Sequence, residues 1–289
     1  MILNPIQFYI VYILLINLNI IVIAQMDISQ KTLGFVGTGK IGSAVARGYA
    51  RCNPPPKKIY VSPRSKDKAE ALLAEFPDLI CIVENDQVVE KSDIIFWGLL
   101  PDVARSILPT LPFREDQYII SMMAAIDYSE TISLANGKTP SSNIVRTVPL
   151  PSAAKRSGPI LMHPPNTNAE AILNNVGTTV SCKEENEMKP MICLTGHISP
   201  FFELERVSQE FMVRNGVNSD TAKAFVASFY SSLANASANT EDSFAELRDE
   251  AATPGGLNEQ SVNRLVDSEH YKLHDQSMQS ILDRLQGKK

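Results

Sequence analysis

The sequence predicts an α/β chain, a doubly wound parallel sheet followed by an all-helical C-terminal domain. Three observations predict it. Short apolar runs alternate with helical periodicity from residue 32 to about residue 150, with links too short for anything but strand–helix–strand units. The first apolar run passes straight into a glycine-spaced turn and then a small-residue helix. Strand signals stop near Cys182, and the text beyond carries only helix starts and stops. A length of 289 residues suits about two domains. A hydrophobic fraction of 44% supports a packed core and excludes wholesale disorder. The expected division is a hydrophobic extension at 1–25, a nucleotide-binding domain at 26–182 and a helical domain at 183–289.

Residues 32–36 (TLGFV) read as a buried strand. They run into Gly37-Thr38-Gly39-Lys40-Ile41-Gly42 and then SAVARGYA. Strand, GxGxxG and helix in this order form a Rossmann-like dinucleotide fingerprint. Gly37 makes the tight turn, Gly39 admits a pyrophosphate close to the backbone, and Gly42 lets helix and strand pack closely. The helix start offers free N–H groups and a positive dipole end to the phosphates.

Three consecutive prolines from Pro54 end that helix, and residues 58–61 form the second strand. A cofactor with a free ribose 2′-hydroxyl usually meets Asp or Glu beyond this strand. Here the text is Ser62-Pro63-Arg64-Ser65-Lys66. Arg64 suits a 2′-phosphate, with Ser62 and Ser65 as hydrogen-bond donors, so the reading is NADP (NADPH) rather than NAD. The bland alternative is a solvated basic loop.

The alternation continues with a helix at 68–76, a strand at 81–83, a helix at 85–91 and an apolar strand at 93–98. Pro101 opens a helix to about Leu108, and strands follow at 118–122 and 144–148. Ligands of such sheets lie beyond the carboxyl ends of the strands. That places Leu99, Leu100, Pro101, Ala124 and Pro149 near the reactive end of the cofactor, with Trp97 and Met123 read as core. In the second half, a helix at 203–215 stops at Gly216, Asn218 or Ser219 caps a helix from 220 to about 235, another helix spans 243–251, and 259–285 carries the last helices.

The formal charge of −5 argues against phosphate-backbone recognition, so no nucleic-acid partner is expected. Four scattered cysteines form no CxxC pair and read as reduced, buried thiols of a cytoplasmic protein. His270 and His274 share a helix face but lack the Glu of HExxH, so no metal is expected. Residues 8–24 are apolar-dominated and at the short limit for a span. They read as a secretory signal, a membrane anchor, or a false start ahead of Met26, and a membrane or secreted location applies only if residues 1–25 are retained.

The ordered set of motifs resembles the pyrroline-5-carboxylate reductases, which catalyse the last step of proline biosynthesis. It rests on GFVGTGKIG, DIIFWGLLP, SMMAA, RTVPLPSAAKRSGP, LTGHISPFF, RNGVNSDTAKAFV and DEAATPGGLNEQSV, from about residue 31 to the C-terminus. The departures are Leu100 for a family Lys, Leu150 for Asn, Pro151 for Thr, an altered turn at 195–199 and Asn258 for Thr. They bear on the substrate side.

The resemblance implies an enzyme, an NAD(P)-dependent oxidoreductase that reduces a cyclic imine, 1-pyrroline-5-carboxylate to L-proline. It implies a homodimer or larger homo-oligomer in which the helical half supplies a cover over the nicotinamide. Gly255 and Gly256 suit the substrate carboxylate, Thr253 offers a hydroxyl and Asn258 an amide, and Pro149 belongs to the substrate side. His197 is either a proton relay or a surface turn residue, the latter being favoured. The alternatives are a reductase of another imine or keto acid, and a non-catalytic NADP-binding regulatory protein.

Overall fold

The computed structural model describes residues 26–288, so the expected hydrophobic extension lies outside the described residues. These residues form two compact units, one ending at Met188 and the other beginning at Lys189.

The first unit holds eight strands: β1 (Thr32–Val36), β2 (Lys58–Val61), β3 (Ile80–Ile82), β4 (Ile94–Trp97), β5 (Tyr118–Ser121), β6 (Ile144–Val148), β7 (Pro159–His163) and β8 (Thr178–Ser181). They form one sheet in the order β3-β2-β1-β4-β5-β6-β7-β8. Every neighbouring pair is parallel except β6 and β7, which run antiparallel. The chain builds outward from β1 to β3 and then returns to the other side of β1 with β4. The loops after β1 and β4 therefore leave on opposite faces and open a crevice at their carboxyl ends.

Alternate residues of one strand feed two cores, as a sheet covered on both faces requires. In β4, Ile94 and Phe96 join one cluster, and Ile95 and Trp97 the other. Phe35 of β1 stacks on Phe96 at 4.6 Å between centroids. Tyr49 lies against the same ring, and its buried hydroxyl donates to the Ile172 carbonyl at 3.0 Å. Burial of each such ring contributes on the order of 1.5–3 kcal/mol. Trp97 is fully buried against Phe113, in the core as expected.

The strand–helix alternation follows the expected order up to β6, with ends shifted by one or two residues. β7, β8 and the helices Tyr128–Leu134 and Thr167–Leu173 add to it. β7 is an interior strand whose buried run is only Ile160, Leu161 and Met162 between a proline and a histidine, and β8 is a mostly exposed edge strand. The first unit also extends six residues past Cys182. Arg146 of β6 binds both Glu185 and Met188 and ties that stretch to the sheet.

The second unit is helical: Ile198–Arg214, Ser219–Ala238, Phe244–Ala251, Leu257–Asp267 and His270–Leu285, preceded by Met188–Thr195 at the division. Gly216 adopts a positive φ just past the first of these, the glycine stop expected there. The Asn218 side chain accepts from the Asp220 and Thr221 N–H groups, and Ser243 and Glu246 form a reciprocal capping box. Four of these helices bury no residue at all in the single protomer. Phe225 and Phe229 stack on one another while remaining about half exposed. His197 departs from the expected surface turn: it is buried, neither ring nitrogen has a hydrogen-bond partner, and its ring packs at 4.3 Å against the exposed His274.

Candidate active site

A cleft of about 550 Å³ opens at the carboxyl ends of the central strands of the first unit. Gly37, Gly39, Lys40, Ile41 and Gly42 line it on one side, Ser62, Arg64 and Ser65 at one end, and Leu99, Leu100, Pro101 and Ala124 at the other. Of the residues expected to hold the cofactor, all but Thr38 reach the cleft surface.

The glycines divide their work by what a Cβ would meet. At Gly37, with φ +101°, it would strike the Gly98 carbonyl oxygen at 2.4 Å. At Gly42 it would strike the Gly37 carbonyl oxygen at 2.4 Å. These two are demanded by the fold itself. At Gly39 a Cβ would meet nothing within 4 Å. The fold leaves that space open, directly at the N-terminus of the Lys40–Ala50 helix, whose first turn carries no acidic side chain. Such a cradle fits a pyrophosphate.

Ser62 and Thr38 take structural parts. Ser62 is buried, and its hydroxyl accepts the Gly37 N–H at 2.9 Å. Thr38 is buried as well, and its hydroxyl donates to the Ser62 carbonyl at 2.9 Å and lies 3.3 Å from the Ser62 hydroxyl. The pair locks the glycine turn to the end of β2, so the Ser62 hydroxyl, expected to serve a 2′-phosphate, already serves the fold as an acceptor while the residue still lines the cleft. Arg64 is exposed at the cleft rim with no partner among the described residues, and Ser65 stands beside it. Asn85, which sequence reasoning missed, also lines the cleft, and its buried Oδ1 has no hydrogen-bond partner. An orphaned acceptor there fits a polar ligand. Its position, first in the helix after β3, was the available signal.

The end beyond β4 and β5 is apolar. Leu99, Leu100, Pro101, Met122, Met123, Ala124 and Ala125 line it, and Leu100 is 71% exposed. Met123 is both core, as expected, and cleft wall. Behind this wall lies the buried Arg146. Its Nη2 donates to the Ala124 carbonyl at 2.7 Å and its Nη1 to Glu185 Oε1 at 3.0 Å. The same Glu185 oxygen accepts the Tyr128 N–H at 2.8 Å. Pro149, expected on the substrate side, is buried at the end of β6 and is not among the residues lining the cleft.

In the second unit, Thr253, Gly255, Gly256 and Asn258 come together at the start of the Leu257–Asp267 helix. Three of their donors are engaged within the protein, while the Thr253 hydroxyl has no hydrogen-bond partner among the described residues. The Gly255 N–H donates to Glu259 Oε2 at 2.7 Å, the Gly256 N–H to the Thr253 carbonyl at 2.9 Å, and the Asn258 amide to the Ala251 carbonyl at 3.1 Å. Among the described residues no group of three or more His, Cys, Asp or Glu is placed to hold a metal ion.

Comparison with known proteins matches each unit separately. Residues 32–125 match the family model described as NADP oxidoreductase coenzyme F420-dependent. Residues 185–287 match the one described as pyrroline-5-carboxylate reductase dimerisation. Pyrroline-5-carboxylate reductase 2 of Bacillus subtilis is 27% identical, covering 83% of this chain and 88% of that protein. The pyrroline-5-carboxylate reductase of Haemophilus influenzae is 24% identical, covering 89% and 97%. The fold is that of the Plasmodium falciparum pyrroline carboxylate reductase with NADP bound, at a TM-score of 0.73, 20% identity and 90% and 98% coverage. The nucleotide-binding model followed by that dimerisation model, and relatives of one name along nearly the whole chain, together point to the pyrroline-5-carboxylate reductase family.

Proposed function

We propose that the chain reduces the C=N bond of a small cyclic imine with NADPH, with 1-pyrroline-5-carboxylate, the substrate named in its relatives, as the first to assay. The observation that carries this reading is the open cradle at Gly39, set at a helix start and flanked by an unengaged Arg64. Bound there, NADPH supplies the hydride. Lys40, Ile41 and Gly42 present first-turn N–H groups to its phosphates, and Arg64 with Ser65 meets a 2′-phosphate. Leu99, Leu100, Met123 and Ala124 form an apolar wall for the nicotinamide ring. An imine that enters already protonated needs no acid from the protein, which suits an end of the cleft without a titratable side chain.

Three finer expectations go with it. The preference is for NADPH over NADH. The helical unit, with its uncovered phenylalanines, pairs with a second copy of the chain. Four free cysteines suit a reducing compartment such as the cytoplasm. The test is loss of NADPH absorbance when the purified chain meets 1-pyrroline-5-carboxylate, with NADH in parallel. Faster turnover with NADPH is the expected result, and consumption of neither coenzyme with this or related imines overturns the reading.

A further inference from the structure

We infer that Arg146 is a positioning residue for the reactive ring of the coenzyme: through the Ala124 carbonyl it turns the Ala125 N–H into the cleft, as a donor for the carboxamide oxygen of the nicotinamide. The inference rests on the NADPH reading above and adds to it a side chain that does not itself line the cleft. Arg146 lies on β6 opposite Ser121 of β5, three residues before Ala124. Its Nη2 donates to the Ala124 carbonyl at 2.7 Å, from a side chain only 7% exposed. The peptide between Ala124 and Ala125 is trans, so its N–H points opposite to its carbonyl. With the carbonyl aimed at the buried guanidinium, the N–H faces away from the sheet interior. Both alanines are exposed there and line the cleft.

Two further observations separate this contact from ordinary sheet packing. First, the donors it presents are spare. The Met122 N–H donates to the Trp97 carbonyl, that of Met123 to the Ser121 hydroxyl and that of Ile126 to the Met123 carbonyl. The Ala124 and Ala125 N–H groups between them have no partner among the described residues. Second, the loop is pinned at both ends by one charge pair. Glu185 Oε1 accepts from Arg146 Nη1 at 3.0 Å and from the Tyr128 N–H at 2.8 Å. The pair is held at a cost, since the buried Arg146 Nε has no acceptor. Buried ion pairs add little stability over apolar residues of the same volume, so stability alone is a weak reason for this one. What the pair does supply is a fixed peptide orientation at the cleft wall, a donor set in place before the ring arrives. Lysine cannot copy it, because a single ammonium on a flexible stem lacks the planar fork that serves Ala124 and Glu185 at once.

The experiment measures binding by calorimetry to wild type and Arg146→Lys of the full chain, with two ligands: NADPH, and 2′-phospho-ADP-ribose, the same coenzyme without its nicotinamide. Arg146→Lys is expected to weaken NADPH about tenfold and to leave the fragment within twofold. An arginine that only stabilises the sheet weakens both ligands together or neither. A second measurement needs wild type alone and so decides the matter even if Arg146→Lys does not fold. Site-resolved amide hydrogen exchange at Ala125 is expected to slow at least about tenfold with NADPH bound and to stay within twofold of the free protein with the fragment bound. Parallel changes in the two affinities in folded Arg146→Lys, or equal Ala125 exchange with the two ligands, overturn the positioning role and leave the imine-reductase reading to its own assay. Failure of wild type to bind NADPH overturns that reading and this inference together.

Discussion

The guanidinium of Arg146 donates to the carbonyl oxygen of Ala124 across 2.7 Å, from inside the sheet to the wall of the coenzyme cleft. The side chain is 7% exposed and is neutralised by Glu185, so three segments distant in sequence converge on one buried charge. Removing one partner of such a pair costs about 3–5 kcal/mol, because the other is left buried without compensation. Glu185→Ala, which strands Arg146, is expected to fall in that range by urea denaturation. Arg146→Ala belongs at its lower end, since Glu185 keeps some contact with water. A loss under about 1 kcal/mol in both would show that the pair does not hold the wall.

Gly39 and Gly42 are expected to separate binding from stability. Gly39→Ala places its methyl in open space, so its melting temperature stays at the wild-type value while NADPH affinity, measured by fluorescence titration, drops at least about tenfold, or ~1.4 kcal/mol. Gly42→Ala drives a methyl against the Gly37 carbonyl and loses about 1–3 kcal/mol of stability, as overpacking does. Unaltered NADPH affinity in Gly39→Ala would remove the cradle from the account.

Arg64→Ala is expected to lower the ratio of kcat/KM for NADPH over NADH by about tenfold, mostly through the KM for NADPH. Melting temperature is unaffected, since the side chain holds nothing in the protein. An unchanged ratio would assign the 2′-phosphate to other residues.

Asp127 caps the Tyr128–Leu134 helix by accepting the Glu130 N–H at 2.8 Å, and that bond is the main cause holding its carboxyl below the usual value. A depressed folded pKa stabilises the fold above the unfolded pKa, and the contribution is lost as pH falls through the folded value. Asp127→Ala should therefore cost about 1 kcal/mol at neutral pH. The gap from wild type should begin to close below about pH 4 and shrink further as the carboxyl protonates. Thermal melts of both proteins from pH 7 to pH 3 check this, and a constant gap would rule out the charge as its source.

The uncovered helices of the second unit predict that the chain sediments as a dimer or larger. Phe229→Asp, placing a charge in the Phe225–Phe229 stack, should shift sedimentation toward the monomer. Unchanged sedimentation would place the contact on another face of the helices.

Much of the cleft is legible in the sequence because its parts are local. Gly37 to Gly42 and Ser62 to Ser65 are two contiguous strings, and strand order puts their ends side by side. What is not legible depends on where side chains spend their hydrogen bonds. Ser62 and Arg64 both look like phosphate ligands in a string. Only the fold shows Ser62 spent on the Gly37 N–H while Arg64 remains free. Asn85 carries no sequence mark of its place in the cleft, since a polar residue early in a helix is ordinary on any surface. β8 escapes notice because an edge strand has no need of a continuous apolar run, and β7 because its apolar stretch is only Ile160, Leu161 and Met162 between Pro159 and His163.

The sequence by itself determined the alternation of strands and helices, the glycine turn, the helix stop at Gly216, and the change to helices past the sheet. Each of these follows from periodicity, steric allowance or a hydrogen bond within a few residues. Tertiary structure alone decided that Arg146 would be buried and paired with Glu185, that His197 would be buried against His274, and that Pro149 would be buried at the end of β6. The physical reason is range: these outcomes depend on which distant groups share the same low-dielectric space, and desolvation and pairing there outweigh any local preference.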